Sequence, residues 1–250
     1  MDLQLEGRSA LVTGASSGIG RAIAAALARE GVRVAITGRR RENLESLAAE
    51  LAQEGAPAPV VVVHDALDPG YAEAVASRSI AALGAVQILV NNAGGSRAFG
   101  RDATDEQWDE ALTLNFTRHR QLTNRLLPGM IEGRWGRILN ITGKSEPDNV
   151  NGAFCAKAAL TAWSKGLSRE LGEHGITVNC IPPGRILSDQ ILRNYTPEYR
   201  AWQSEHEIPV GRYGEPEELA NLAVFLASPR ASYITGAVYP VDGGLRRYQY

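Results

Sequence analysis

Short apolar runs alternate with longer segments of helical period along most of the chain. The short runs are rich in β-branched residues and nearly free of charge, and they cover residues 10–12, 32–36, 60–63, 86–90, 137–141 and 177–181. Between them, apolar residues recur with helical spacing at residues 19–29, 41–53, 71–83, 106–130 and 152–173. Such alternation is typical of a parallel sheet covered by helices on both faces. The pattern therefore predicts an α/β fold, a three-layer doubly wound parallel sheet.

The pattern changes after residue 181. Residues 188–209 are rich in Tyr, Glu and Arg and have only weak helical periodicity, which predicts an excursion over the edge of the sheet. A helix at 216–226 and a strand at 237–241 then resume the alternation. Because no internal repeat or low-complexity linker interrupts it, we expect one domain that spans residues 1–250.

The composition excludes several classes of function. A net charge of −2 leaves no excess of basic residues to neutralise a nucleic acid. Cys155 and Cys180 are the only cysteines, which is too few for a disulfide framework or a cysteine metal site, and the first residues do not resemble a signal peptide. No apolar run approaches the roughly 20 residues of a membrane-spanning helix. We expect a cytoplasmic protein without a metal, nucleic-acid or membrane partner.

A glycine-rich loop follows the first predicted strand. Residues 13–20 read TGASSGIG, and a helix begins within them. Glycines in this position let the backbone approach a pyrophosphate closely, while the N-terminus of the helix presents free N–H groups to the anion. A plain glycine-rich turn is the alternative, but the strand–loop–helix context favours a dinucleotide site. The candidate residues in the loop are Gly14, Ser16, Ser17, Gly18, Ile19 and Gly20.

The end of the second strand indicates which dinucleotide is bound. A site for NAD usually has a carboxylate there to hold the ribose 2′-hydroxyl, and Gly38 stands at that position. Arg39 and Arg40 follow it and are suited to bind a 2′-phosphate. A solvated basic face is the alternative. Together with the missing carboxylate, the arginines predict NADP(H).

The loop spacing TGxxxGxG resembles the signature of the short-chain dehydrogenases/reductases, and the chain resembles their 3-oxoacyl-acyl-carrier-protein reductase-like members from about residue 5 to residue 244. Residues 91–94 read NNAG, and residues 183–188 are similar to the family's PGxxxT segment. The resemblance implies a Rossmann fold, hydride transfer between nicotinamide and a small carbonyl or alcohol, a substrate lid at about 188–209, and a homo-oligomer, either dimer or tetramer. It adds these candidates for cofactor binding: Asp65, Ala66, Asn92, Ala93, Gly94, Lys157, Pro183, Gly184, Ile186 and Ser188.

The resemblance breaks at the catalytic positions. The family's catalytic residues are a Tyr, a Lys, a Ser and an Asn. In this chain Lys157 and Asn115 occupy the positions of the Lys and the Asn. Ala153 occupies the Tyr position four residues before Lys157, and Gly143 occupies the Ser position. Thr142 and Ser145 are the nearest hydroxyls and become the remaining catalytic candidates.

Three interpretations stay open. The protein is an NADP-dependent oxidoreductase with a non-standard proton donor, it is a catalytically silent NADP-binding sensor or scaffold, or lysines near the nicotinamide bind an anionic substrate for another reaction. The proton donors considered are Lys144, Ser145, Lys157, Tyr195 and Tyr199.

Other residues are assigned simpler roles. We expect the histidines to be surface or capping residues, and Thr104 with Gln107 to form a capping box at the start of a helix. Trp108 and Trp163 lie on the two long helices that the family uses for assembly, and the tail 246–250 could reach a neighbouring subunit. The four histidines are His64, His119, His174 and His206.

Overall fold

A computed structural model describes residues 1–97, 99–143, 147 and 149–247, except for the side chain of Gln190. Six parallel strands form one sheet in the order β3-β2-β1-β4-β5-β6, which confirms the predicted doubly wound α/β fold. The strands are β1 Ser9–Thr13, β2 Arg33–Gly38, β3 Val60–Val63, β4 Ile88–Asn91, β5 Gly136–Ile141 and β6 Ile176–Ile181.

The central strand explains the apolar runs in the sequence. All of β1 is buried, and its Leu11 lies in register with Ala35 of β2 on one side and Leu89 of β4 on the other. Because helices cover both faces of the sheet, alternate side chains of β1 belong to two different cores. Val12 packs in one core and Leu11 in the other.

The described part of the chain contains nine α-helices, six of which pack against the sheet. The core on one face takes side chains from α1, α2 and α9, and the core on the other face takes them from α3, α5 and α6. The helices are α1 Gly18–Arg29, α2 Arg41–Gln53, α3 Tyr71–Leu83, α4 Asp105–Leu112, α5 Arg118–Glu132, α6 Gly152–Leu171, α7 Asp189–Asn194, α8 Pro197–His206 and α9 Pro216–Ala227.

The structure corrects three of the predicted elements. The helix expected at 106–130 contains a π-helical turn, Thr113–Thr117, between α4 and α5. The excursion 188–209 contains two helices, α7 and α8, where only weak periodicity was expected. The segment 237–241 is not a regular strand, because it joins β6 and the residues after it through isolated bridges at Val238 and Val241.

Of two predictions about residues near α4 and α5, one is confirmed and one is wrong. The capping box of Thr104 and Gln107 is present at the start of α4. The expectation that every histidine lies at the surface or caps a helix is wrong for His119, which is only 3% exposed on the inner side of α5. Burial lowers the pKa of His119 to about 3, and the nearby Lys157 lowers it further, so the ring is neutral.

Two features are absent from the described residues. None of their helices is long and apolar enough to cross a membrane. No group of three or more His, Cys, Asp or Glu side chains among them is arranged to hold a metal ion.

Candidate functional site

A cleft of about 630 Å³ runs along the carboxyl ends of the strands. It crosses the point between β1 and β4 where the strand order reverses, which is where ligands bind in open α/β sheets. Every residue that the sequence nominated for cofactor binding lines this cleft. These are Gly14, Ser16, Ser17, Gly18, Ile19, Gly20, Arg39, Arg40, Asp65, Ala66, Asn92, Ala93, Gly94, Lys157, Pro183, Gly184, Ile186 and Ser188.

The glycines of the loop after β1 are required by close backbone packing. Gly14 has a φ of +67°, and a Cβ there would lie 2.9 Å from the Cα of Ala93. A Cβ on Gly20 would lie 2.5 Å from the carbonyl oxygen of Gly14. The loop and the first turn of α1 therefore form a side-chain-free cradle that fits a pyrophosphate, with the free N–H groups of the helix start facing it.

The residues around Asn92 fix the cradle to β4. The backbone N–H groups of Asn92 and Ala93 each donate to Thr13 Oγ1 at 2.9 Å, and Thr13 Oγ1 donates to the carbonyl of Val90 at 3.2 Å. Asn92 Nδ2 donates to the carbonyl of Thr13 at 2.9 Å. These hydrogen bonds connect the loop after β1 to the loop after β4, on either side of the point where the strand order reverses.

Two arginines stand at one end of the cleft. Arg39 is largely exposed and faces Asp65 at 3.8 Å. Arg40 pairs with Asp189 at 3.1 Å and donates to Ser17 Oγ at 2.6 Å. A Cβ on Gly38 would lie 3.3 Å from the Cβ of Ser16, so an acidic side chain at this position would be tight as well as electrostatically mismatched to a phosphate.

Lys157 lies at the other end of the cleft, on α6. Its Nζ donates to the carbonyl oxygen of Thr142 at 3.1 Å, and burial lowers its pKa to about 8. A Cβ on Gly143 would lie 2.9 Å from Lys157 Cδ, so the lysine side chain occupies the space that a serine at residue 143 would need. The missing side chain at Gly143 thus leaves room for the side chain of Lys157.

Asn115 holds the loop that follows β4. It lies in the π-helical turn and is fully buried. Its Oδ1 accepts from the N–H of Gly95 at 3.1 Å, while Nδ2 donates to the carbonyls of Gly95 at 3.1 Å and Ala111 at 2.9 Å. π-turns inside helices often mark functional sites, and this one places Asn115 behind Gly95, which lines the cleft, although Asn115 itself is not among the described lining residues.

None of the other nominated catalytic groups that the structure describes lines the cleft. Thr142 is 1% exposed and is not among the described residues that line the cleft. Ser145 and Lys144 lie outside the described residues. Tyr195 and Tyr199 pack on each other with ring centroids 5.4 Å apart, and neither is among the described lining residues.

The structure also adds lining residues that the sequence reasoning missed. His64 and Tyr71 line the cleft near Asp65, and burial raises the pKa of the Tyr71 hydroxyl. Arg97 lines the cleft near Lys157, three residues after Gly94. Its place directly after the NNAG segment was the signal that could have found it.

Comparisons with known proteins agree with this geometry. The family model described as enoyl-(acyl carrier protein) reductase matches residues 14–246. A 3-oxoacyl-[acyl-carrier-protein] reductase of Aquifex aeolicus is 36% identical, over 98% of this chain and 100% of its own length.

Two solved structures resemble the chain closely. A 7α-hydroxysteroid dehydrogenase in complex with NADH and 7-oxo glycochenodeoxycholic acid superposes with a TM-score of 0.92 at 34% identity, over 97% of this chain and 96% of its own. The L-sorbose reductase of Gluconobacter frateurii, in complex with NADPH and L-sorbose, has a TM-score of 0.92 at 33% identity, over 99% and 100%. The chain therefore belongs to the short-chain dehydrogenase/reductase family of oxidoreductases.

Proposed function

We propose that this protein is an NADP(H)-dependent oxidoreductase that interconverts a small carbonyl compound and its alcohol, with Lys157 as the proton donor. The observation that carries the proposal is the position of Lys157, which lines the cleft with a pKa of about 8 while Ala153 stands four residues before it. A proton donor works best when its pKa lies near the working pH. The lysine meets that condition without a tyrosine.

The cleft fits a dinucleotide along its whole length. The glycine cradle takes the pyrophosphate, Arg39 and Arg40 take a 2′-phosphate, and Asp65 with Ala66 faces the adenine. When bound, the dinucleotide supplies or accepts the hydride. Both NADH and NADPH occur in the related structures, so the choice between them rests on the residues after β2.

Lys157 then handles the proton. In the reduction, its ammonium group donates a proton to the oxygen that becomes the alcohol, and the neutral amine regains a proton from water. In the oxidation, the neutral amine accepts the alcohol proton. Asn115 acts on this step through the loop at Gly95, which it holds against the cleft.

The arrangement of the chain around the cleft completes the proposal. The domain spans residues 1–250, and the segment 188–209 forms a lid. Its helix α7 meets the cleft, because Asp189 of α7 pairs with Arg40 and a Cβ on Gly18 would lie 3.4 Å from the Cβ of Ser188. We also propose a cytoplasmic homo-oligomer, a dimer or a tetramer. The T-shaped pair of Phe116 and Trp163, with ring centroids 6.3 Å apart, lies on the helices that would assemble it. Sizing chromatography with and without residues 246–250 tests the assembly.

Titration with NADPH and NADH tests the cofactor. We expect NADPH to bind at least about tenfold more tightly, because a hydrogen bond to a charged group contributes about 1.5–3 kcal/mol. Arg39→Gln combined with Arg40→Gln should remove most of this preference. Arg41→Gln is the matched control, since Arg41 pairs with Glu45 at 3.1 Å and does not line the cleft. Equal affinity for the two cofactors contradicts the proposal.

A screen of carbonyl and alcohol substrates tests the chemistry. We expect slow turnover that Lys157→Ala abolishes, with NADPH affinity measured in parallel. The second candidate function is a silent NADP-binding sensor or scaffold, which Ala153 at the usual proton-donor position favours. Tight NADPH binding without turnover of any substrate would select that candidate.

A further inference from the structure

A side chamber of about 100 Å³ lies beside the cleft. Gly95, Arg97, Leu114 and Ala153 line both the chamber and the cleft, so the two spaces adjoin at these residues. A water molecule takes up about 30 Å³ of liquid, so the chamber has room for a group of about three heavy atoms. That size fits a small substituent of a substrate rather than a second ligand.

The small residues at its mouth keep the chamber open. Ala153 is 5% exposed and sits at the junction with the cleft, so any larger side chain there would intrude on the opening. The floor is closed by tight packing of α4 on α6, since a Cβ on Gly152 would lie 2.7 Å from the Cβ of Ala111 and 2.8 Å from the ring of Phe99. The small alanine at residue 153 therefore leaves room where the chamber adjoins the cleft.

The polar groups of the chamber leave hydrogen-bond donors to spare. Arg97 Nε lies 3.0 Å from Glu110 Oε1. Asn151 Oδ1 accepts from the N–H of Ala153 and Asn151 Nδ2 donates to Ser96 Oγ, while Gln107 Oε1 accepts from the N–H of Thr104. The terminal nitrogens of Arg97 donate no hydrogen bond to another described residue, and the side chain is 52% exposed. An acceptor that can bind two parallel N–H groups, such as a carboxylate, matches this fork.

The charge balance at this end of the cleft points to the same ligand. The acidic residues that line the cleft, Asp65 and Asp189, both pair with arginines at the opposite end. Near Lys157 the described residues provide Arg97 and Lys157 against Glu110 of the chamber. One negative charge on the substrate would neutralise this excess.

The structure sets an upper limit on the distance between the two cations. A Cβ on Gly94 would be 3.8 Å from Lys157 Cε, and a Cβ on the next residue, Gly95, would be 3.1 Å from Arg97 Nη1. Because adjacent Cα atoms are about 3.8 Å apart, Lys157 Cε and Arg97 Nη1 are separated by no more than about 14 Å. A molecule with a few carbons between two oxygen-bearing groups, hydrogen-bonded at both ends, has a length of the same order as this limit.

We propose that the substrate is a short carbonyl compound that carries a carboxylate, with the carboxylate in the side chamber at Arg97 and the carbonyl at Lys157. This inference rests on the proposed function for the role of Lys157, but the carboxylate subsite itself is a binding property of Arg97. Arg97 is thus a specificity residue.

Matched acids and esters test the subsite. Levulinate and acetoacetate are compared with their methyl esters, both as substrates with NADPH and as ligands titrated calorimetrically into the free protein and its NADP⁺ complex. We expect each acid to exceed its ester by about tenfold or more in affinity or kcat/KM, as one charge-assisted contact provides. Arg97→Gln should erase this difference, and Arg97→Lys should retain part of it. Glu110→Gln, which removes the competing carboxylate, should strengthen binding of the acids.

Controls separate this inference from the proposed function. Arg101→Gln removes a nearby exposed arginine that lines neither space, and it should leave the preference unchanged. The NADPH affinity and the turnover of the esters report on the proposed function alone, while calorimetry of the acids reports on the chamber even without turnover. Esters that bind as well as the acids, or an Arg97→Gln variant that weakens both equally, would overturn the carboxylate subsite.

Discussion

The substitution Gly20→Ala tests the cradle with no knowledge of the substrate. Gly20 lies in the first turn of α1, and its φ is not in the left-handed region, so the backbone itself accepts alanine. The added Cβ would meet Asn92 Nδ2 and would lie 2.5 Å from the carbonyl oxygen of Gly14. The perturbation is therefore a steric wedge between the helix and the loop.

The size of the effect follows from the overlap. Ordinary van der Waals contact begins at 3.4 Å, so α1 and the loop at Gly14 must separate by close to 1 Å. Overpacking of this kind costs about 1–3 kcal/mol, and alanine returns up to about 1 kcal/mol of helix propensity. We expect a net loss of about 1–2 kcal/mol, which lowers Tm by about 2–8 °C in a chain of this size. NADPH affinity should fall at least about tenfold, because the N–H groups of the helix start move away from the pyrophosphate.

Urea unfolding and NADPH titration measure both effects. Gly166→Ala is the matched control, because Gly166 lies inside α6 with nothing within 4 Å of its added Cβ, and it should raise the free energy of unfolding by up to about 1 kcal/mol. If Gly20→Ala unfolds at the same urea concentration as the original chain and binds NADPH equally well, the account of the cradle is wrong.

Three further predictions concern the buried groups near the nicotinamide end. With Lys157 as donor and its pKa at about 8, kcat/KM for carbonyl reduction should be level below pH 8 and fall about tenfold per pH unit above it; a profile that stays level to pH 10 contradicts the assignment. Gly143→Ala should displace Lys157 Cδ, which lies 2.9 Å from the new Cβ, and lower kcat by about tenfold or more while Tm changes little. The pKa of His119 is about 3 in the folded state and near 6.5 in the unfolded state. Because the unfolded state binds more protons between these values, the free energy of unfolding should fall as the pH drops from 6.5 towards 3. Urea unfolding of His119→Gln across this range should show a shallower fall.

The sequence alone determined the fold and most of the cleft. The apolar strands and amphipathic helices are local patterns, and a doubly wound sheet places the carboxyl ends of its strands together wherever such patterns alternate. For the same reason, loop residues as far apart as Gly14, Arg39 and Pro183 could be assigned to one site before their distances were known. Lys157 and Ala153 could be recognised from their four-residue spacing on one helix.

Only the tertiary structure decided how the end of the cleft around Lys157 is arranged. The contact of Lys157 with Gly143, the burial of His119 and the side chamber beside Ala153 each depend on elements far apart in sequence, which helical or strand periodicity does not relate. The π-helical turn at Asn115 is another feature that sequence periodicity does not predict. It keeps the apolar period of a long helix while shifting its register, and the hydrogen bonds between Asn115 and Gly95 that accompany it form only when the folded loop meets the helix.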